Sequence, residues 1–346
     1  MLDYVSEATF VVCVGFVGGL VLGLAARYGR FCTLGAIEDF LYSSDDRRLR
    51  MWGVAIGVAV ITTHLAMSLG WLRSEETIYI ARAWTPLGTV LGGLMFGYGM
   101  ALSGNCGYGA LARLGGGDLR SLVIVVVMGL TAYATISGPL AYLRVALFPD
   151  DPAVRAQSLS QLLPVAPWVP GLVVGGGLIA VALASAQMRR ARAMIGWGAA
   201  VGLAVTSGWI GTQWVATHGF DHLPVVSHSF ARPLGESLLW IMTASGFGPT
   251  FAVGSVFGVL VGALAGSWRR GHFRWEACED PRELKRQILG AALMGPGAVL
   301  ALGCSIGQGI TAFSLLSFSA PVALIAIFIG AAIGLRQLIE GFSPAE

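Results

Sequence analysis

The sequence is poor in charged residues. Only 12% of its 346 residues are Asp, Glu, Lys or Arg, against roughly 25% in an average soluble domain. A soluble fold in which 55% of the residues are hydrophobic would have too few charges to cover its surface. This composition excludes a soluble enzyme, a nucleic-acid-binding domain and a disordered protein.

Cysteines and nucleotide-binding motifs are also scarce. The five cysteines are Cys13, Cys32, Cys106, Cys278 and Cys304. They lie too far apart for a metal-ligand spacing and do not form a disulfide framework, and no G-x4-G-K-[ST] loop indicates an ATP-driven pump. The segment before the first apolar run carries Asp3 and Glu7 but no basic residue, so we expect no cleaved signal peptide. We expect no cofactor and no metal.

Long apolar runs are abundant instead. A membrane-spanning helix needs about 17–25 predominantly apolar residues. The runs long enough lie near 8–26, 51–72, 84–103, 119–138, 168–187, 194–215, 249–267, 284–302 and 319–336. The sequence therefore predicts an all-α polytopic membrane protein, with about nine transmembrane helices in a lipid bilayer.

The positive charges set the expected orientation. Arginine and lysine concentrate in the loops after the first, third, fifth and seventh runs, near 27–50, 113–120, 189–192 and 269–286. Because cytoplasmic loops are enriched in positive charge, we expect the amino terminus outside and the carboxyl terminus in the cytoplasm.

Four further stretches are too short to cross. They lie near 29–42, 104–116, 228–245 and 303–317. They could be amphipathic surface loops. We favour re-entrant half-helices, because backbone that stops inside a membrane must be buried in protein or face a water-filled cavity.

Two distant segments share one pattern. Residues 91–109 (LGGLMFGYGMALSGNCGYG) and 289–307 (LGAALMGPGAVLALGCSIG) match at seven of nineteen positions after a shift of 198 residues. The shared pattern is G-x4-G-x-G-x6-C-x2-G.

In the predicted topology the helix before Cys106 runs inward and the helix before Cys304 runs outward. We therefore expect one transmembrane domain, 1–346, with a first repeat (1–150), a linking helix (151–193) and a second, inverted repeat (194–346). Inverted repeats of this kind bring interrupted helices together near the midplane, where they form a substrate site.

Three cysteines share a local motif. Cys32, Cys106 and Cys304 are each followed by glycine three residues later, and each falls near the start of a predicted half-helix. A half-helix start presents free N–H groups to an anion, and a thiol there is a soft, weakly hydrogen-bonding group. A buried cysteine can also be a mere small hydrophobe. The shared motif favours an anionic, sulphur-compatible permeant.

Neighbouring small and polar residues complete the predicted substrate site. They are Gly104, Asn105, Gly107, Gly109, Gly303, Ser305, Gly307 and Gln308. The side-chain amides of Asn105 and Gln308 could donate to an oxyanion or could form hydrogen bonds between helices. Arg232 could collect anions at the outer side or be a plain interfacial arginine. His218, Asp221, His222 and His228 cluster in one loop, but their spacing matches no strong metal pattern.

The motifs resemble the YeeE/YedE family of sulphur-transport membrane proteins. The resemblance rests on GRFCTLGAIEDF (29–40), GYGMALSGNCGYGALARLGGGDLRSL (97–122) and GPGAVLALGCSIGQGITAFS (295–314). It implies thiosulfate uptake across the bacterial inner membrane through an hourglass-shaped protein, with functional cysteines at Cys32, Cys106 and Cys304. It also implies a cytoplasmic sulphur-carrier partner of the TusA-like kind. Some relatives are linked to selenium metabolism, which leaves the permeant open.

The residues and the resemblance together favour one function. We expect thiosulfate, or a related anion, to pass Cys304, then Cys106, then Cys32, bound weakly at each as in selective pores. The alternative is a membrane component of a sulphur- or selenium-transferring enzyme system, in which the cysteines carry covalent persulfides.

Overall fold

The computed structural model describes residues 6–149, 156–220, 223–277 and 280–341. In these residues the chain is helical and contains no β-strand. Its extended contacts are isolated bridges between loops: Thr77 with Val225, Asp118 with Glu276, and Ser158 with Ser317. The all-α prediction is therefore confirmed for the described residues.

The helices vary widely in length. In chain order they are α1 (Glu7–Tyr28), α2 (Thr33–Tyr42), α3 (Arg47–Ser68), α4 (Ile78–Ala81), α5 (Pro86–Ser103), α6 (Gly107–Leu114), α7 (Arg120–Ile136), α8 (Leu140–Leu147), α9 (Leu159–Leu162), α10 (Trp168–Leu183), α11 (Ala186–Arg190), α12 (Arg192–His218), α13 (Arg232–Thr243), α14 (Phe251–Arg269), α15 (Pro281–Leu300) and α16 (Ser319–Glu340). A 3₁₀ turn (Ser74–Glu76) precedes α4, and a π-helix (Gly307–Ala312) precedes α16.

Each predicted span contains a helix, but nine crossings are not confirmed. In the part of the chain described, six helical stretches are long and apolar enough to cross a membrane, or seven if α7 and α8, bent by 56°, form one span. Helix α10 has 16 residues and spans only ~24 Å at about 1.5 Å per residue. Helix α15 begins with Arg282, Glu283, Lys285 and Arg286, which lower its hydropathy.

Short helical elements occupy the four predicted half-helix positions. They are α2, α6, α13 and the π-helix. Helix α2 packs on α3 and α16, α13 on α14 and α7, α6 on α7 and α14, and the π-helix on α16 and α3. Each is thereby held between one helix from the amino-terminal half of the chain and one from the carboxyl-terminal half.

Glycines set the contact between the two motif-bearing helices, α5 and α15. A Cβ atom added to Gly92 would overlap the backbone of Gly297, and one added to Gly99 would overlap the backbone of Gly290. Residue numbers rise along α5 as they fall along α15, so the two helices run antiparallel. Adding 198 to Gly92 gives Gly290, and adding 198 to Gly99 gives Gly297. The shift that relates the two sequence motifs therefore converts the first contact into the second.

Other helix pairs repeat in the same way. Helix α1 packs in parallel on α14, with Gly19 against Ser255 and Gly23 against Val259. Helix α12 likewise packs in parallel on α3. Helix α5 packs on α16, and the corresponding pair after the 198-residue shift, α15 and α7, is also in contact. Small residues at such contacts let the backbones approach closely, which is how helices pack without a hydrophobic driving force in a bilayer.

We expect Gly99→Val to destabilise the protein strongly. The added side chain would meet the carbonyl of Gly290, and a backbone cannot move aside as a side chain can, so the cost should be at least the ~1–3 kcal/mol of ordinary overpacking. The measurement is thermal unfolding of detergent-solubilised protein. Gly177→Val on α10 is the matched control, because a Cβ there meets no atom within 4 Å. Equal unfolding temperatures for the two variants would contradict this packing.

Candidate functional site

The three motif cysteines lie at helix starts. Cys32 is the N-cap of α2, and Cys106 is the N-cap of α6. Cys304 directly precedes the helical turn that leads into the π-helix. Each thiol is therefore placed beside backbone N–H groups that have no partner within the helix.

Two of the thiols accept hydrogen bonds from those N–H groups. The Cys106 sulphur accepts from the N–H of Gly109 at 3.4 Å. The Cys304 sulphur accepts from Gly307 at 3.5 Å and from Phe230 at 3.3 Å. The donor three residues after each cysteine is the motif glycine. A Cβ atom added to Gly109 would press on the Asn105 side chain, and one added to Gly307 would press on the Ser229 hydroxyl. The glycines therefore allow the N–H groups to approach the sulphurs closely.

Cys32 differs from the other two thiols. Its side chain makes no capping hydrogen bond, and it is partly exposed. It lines a cavity of about 400 Å³, whose wall also includes Gly104, Asn105 and Gly109. Cys32 is thus the thiol that opens to the cavity.

Cys106 is the middle thiol of the three. It is 1% exposed, as is Cys304, and it lies within electrostatic range of both Cys32 and Cys304. The Ser229 hydroxyl lies 3.8 Å from the Cys304 sulphur. The three thiols therefore form one group that leads from the cavity, at Cys32, into the closed interior of the protein.

An aromatic cluster joins the helix starts. The rings of Phe31 and Trp52 stack at 4.7 Å, and Tyr108 meets Phe31 at 6.5 Å and Phe230 at 5.3 Å. The Tyr108 hydroxyl donates to the carbonyl of Leu22 at 2.6 Å. Sequence reasoning missed these residues, although Phe31 and Tyr108 stand inside the GRFC and CGYG motifs.

Several buried polar groups near the thiols have no hydrogen-bond partner among the residues that the structure describes. They are the hydroxyls of Thr33 and Ser305, the amide nitrogen of Asn105 and the indole nitrogen of Trp52. The Ser305 hydroxyl lies near the Cys106 thiol without making a hydrogen bond of ordinary geometry. Buried polar groups in folded proteins are nearly always hydrogen-bonded, so this group of free donors indicates a polar ligand.

The remaining predicted site residues have structural contacts. Gln308 is fully buried; its amide donates to the carbonyl of Ala301, and its carbonyl accepts from Ser319 at 3.2 Å. Gly104 ends α5 with φ of +73°, a left-handed conformation that favours glycine. Gly107 packs on the carbonyl of Phe230, and Gly303 packs on the next helical turn.

Arg232 follows Phe230, the donor to the Cys304 sulphur, by two residues. It begins α13, is exposed, and pairs with Glu236 of the same helix at 2.9 Å. Its proposed role as an anion collector stays a prediction.

The two described loop histidines, His218 and His228, have different surroundings. His218 bonds to the carbonyl of Trp214 on its own helix, whereas His228 is buried against Ser255 of α14. Asp221, His222 and Cys278 lie outside the described residues. Within the ranges described, no group of three or more His, Cys, Asp or Glu side chains could hold a metal ion.

The geometry predicts an order of thiol reactivity. In variants that keep one motif cysteine and carry alanine at the other four cysteines, we expect a maleimide to label Cys32 at least about tenfold faster than Cys106 or Cys304, because modification needs an accessible thiol. The measurement is the labelling rate of folded protein in detergent. Denatured protein is the control, in which the three rates converge. Equal rates in the folded state would contradict the described burial.

Comparisons with known proteins show the family of this chain. The profile of the sulphur transport family matches residues 28–333. A thiosulfate transporter TsuA of Spirochaeta thermophila is 26% identical over 336 residues, which cover 92% of this chain and 97% of that protein. A thiosulfate transporter TsuA of Escherichia coli is 23% identical over 342 residues, which cover 92% of each chain. The chain belongs to the sulphur transport family of polytopic membrane proteins, the YeeE/YedE family that its motifs resemble.

Proposed function

We propose that this protein takes up thiosulfate across the bacterial inner membrane along its three motif cysteines. The observation that carries the proposal is the group of Cys32, which opens to the cavity, and the buried Cys106 and Cys304, close to hydroxyl and amide donors that have no protein partner among the described residues. Such donors suit an oxyanion. Two relatives across almost the whole chain bear the name thiosulfate transporter.

The proposed architecture is a pair of inverted repeats, 1–150 and 194–346, joined by the linking segment 151–193. The exchange-symmetric contact of α5 with α15 supports it. In this arrangement α2, α6, α13 and the π-helix are re-entrant elements whose starts meet inside the protein.

The proposed direction of passage follows the positive charges. With the amino terminus outside and the carboxyl terminus in the cytoplasm, the cavity beside Cys32 opens to the cytoplasm, because its walls hold arginines of the basic loops. Thiosulfate then meets Cys304 first, Cys106 next and Cys32 last. At Cys304 the nearby donor is Ser229, at Cys106 it is Ser305, and at Cys32 it is Asn105.

The proposed chemistry is non-covalent. A thiol S–H is a weak donor, so each position holds the anion loosely while backbone N–H groups offset part of its charge. Several weak sites in series allow both entry and exit, whereas one tight site would trap the ion. A TusA-like cytoplasmic carrier, implied by the family resemblance, would receive the anion at the cavity.

We expect Cys106→Ala to reduce thiosulfate uptake to background. The middle thiol is the one in range of both others, so its loss interrupts the path. The measurement is accumulation of ³⁵S-thiosulfate in liposomes that contain only this protein. Cys13→Ala is the matched control, since Cys13 is exposed on α1 and should leave uptake unchanged.

Two outcomes would contradict the proposal. Wild-type uptake by Cys106→Ala would exclude the thiol path. Accumulation by the wild type only when a soluble sulphur carrier is added would favour covalent sulphur transfer instead of passage.

Asn105 and Gln308 provide a second test. The amide nitrogen of Asn105 has no protein partner, so Asn105→Ala should lower uptake about tenfold, the effect of one lost hydrogen bond of about 1.4 kcal/mol to the anion, with an unchanged unfolding temperature. The Gln308 amide is hydrogen-bonded to Ala301 and Ser319. Gln308→Ala should therefore lower the free energy of unfolding by about 1–3 kcal/mol. Uptake kinetics and thermal unfolding measure the two effects. Loss of stability in Asn105→Ala would make Asn105 structural.

A further inference from the structure

The cavity beside Cys32 is lined by several guanidinium groups. Four regions of the chain contribute them: Arg27 and Arg30 at the end of α1, Arg48, Arg113 and Arg270. The lining includes a single carboxylate, that of Glu38. We name these five residues and the space between them the arginine vestibule.

Most of this charge is not neutralised inside the protein. Arg48 pairs with Asp39 at 3.2 Å. Across the described ranges, Arg27, Arg30, Arg113 and Arg270 have no carboxylate oxygen within 4 Å. The vestibule therefore holds four guanidinium groups without an ion-pair partner in the part of the chain that the structure describes.

The arginines are held in place by the backbone. Arg270 donates to the carbonyl of Arg27 at 2.7 Å and stacks over the ring of Tyr28 at 4.6 Å. Arg30 adopts φ of +55°, a left-handed conformation that costs free energy in an arginine. Such strain persists only where the surrounding structure enforces it. These contacts position Arg270, and the backbone conformation sets the place of Arg30, at the edge of the cavity.

Arg27 has donor capacity that the protein does not use. It is partly buried, and its Nε is shielded from solvent without a hydrogen-bond partner among the described residues. The guanidinium lies against Gly116, where a Cβ would overlap it, and within electrostatic range of the like-charged Arg113. Asp118 and Glu276 are also in range, but their close ion pairs are with Arg120, at 3.1 and 3.6 Å.

We propose that the arginine vestibule is a second anion site, which binds a divalent sulphur oxyanion through Arg27 and Arg113. Guanidinium groups present paired N–H donors that match oxyanions. The start of α2, which Cys32 leaves without a side-chain cap, adds N–H groups at the same cavity. The identity of the ligand as thiosulfate rests on the proposed function; the site itself rests on its arginines.

The vestibule takes the anion at the point where the thiols end. Cys32 and Asn105 share its lining with the arginines, so an anion that leaves the last thiol meets positive charge at once. The site is open to water, and salt therefore screens it. It concentrates the anion at the mouth of the path without holding it tightly.

The test is equilibrium binding of ³⁵S-thiosulfate to the full chain in detergent. In a variant with alanine in place of Cys32, Cys106 and Cys304, binding should persist, because the vestibule does not need the thiols. Adding Arg27→Gln or Arg113→Gln to that variant should weaken binding at least about tenfold. Arg336→Gln is the matched control, an exposed arginine paired with Glu340, and should leave binding unchanged.

Arg113 keeps the test decisive if Arg27→Gln fails to fold, because Arg113 is exposed and is not part of the core. Unchanged binding in both arginine variants, or no binding after the triple cysteine replacement in monodisperse protein, would overturn the vestibule. Neither result bears on uptake by the wild type. Arginine-dependent binding together with no uptake in liposomes would instead overturn the proposed function and leave the vestibule standing.

Discussion

The structure depends on helices that begin inside the protein, where their first N–H groups cannot reach water. Each such group needs an acceptor, since a buried unpaired donor costs about 1–3 kcal/mol. At Cys106 and Cys304 the acceptor is the sulphur of the cysteine that starts the turn. Sulphur is a weak acceptor, so these bonds satisfy the backbone while leaving the thiols able to interact with something else. The same cysteines thus close the fold and line the site.

Close glycine packing joins the two helices that lead to Cys106 and Cys304. The antiparallel contact of α5 with α15 brings Gly99 to Gly290, and each of these helices leads directly to one of the cysteines. A larger side chain at the crossing would separate the two helices. The starts of the elements that follow are linked by Phe230, whose N–H donates to the Cys304 sulphur and whose ring meets that of Tyr108. Packing at the crossing and these local contacts together position the thiols.

The helices and the cysteine motif could be predicted from sequence because each depends on a local pattern of residues. Apolar runs gave the helices, and the glycine three residues after each cysteine marked a donor that must approach a sulphur. What local patterns could not give was the number of crossings: α10 is too short and the start of α15 too charged to count by composition. They also could not show that Gln308 would use its amide within the protein, or that arginines more than 200 residues apart would line one cavity. Those facts depend on tertiary contacts.

The separation between thiols and arginines has an electrostatic reason. Among the residues that the structure describes, the buried polar side chains include no Arg, Lys, Asp or Glu. A doubly negative anion about 4 Å from one guanidinium would gain ~8 kcal/mol at an effective dielectric constant of about 20, which corresponds to nearly six powers of ten in affinity. An arginine beside Cys106 would therefore hold the anion too long for transport. In the open vestibule water and salt reduce that attraction, so under the proposed function positive charge would gather the anion there and neutral donors would pass it through the interior.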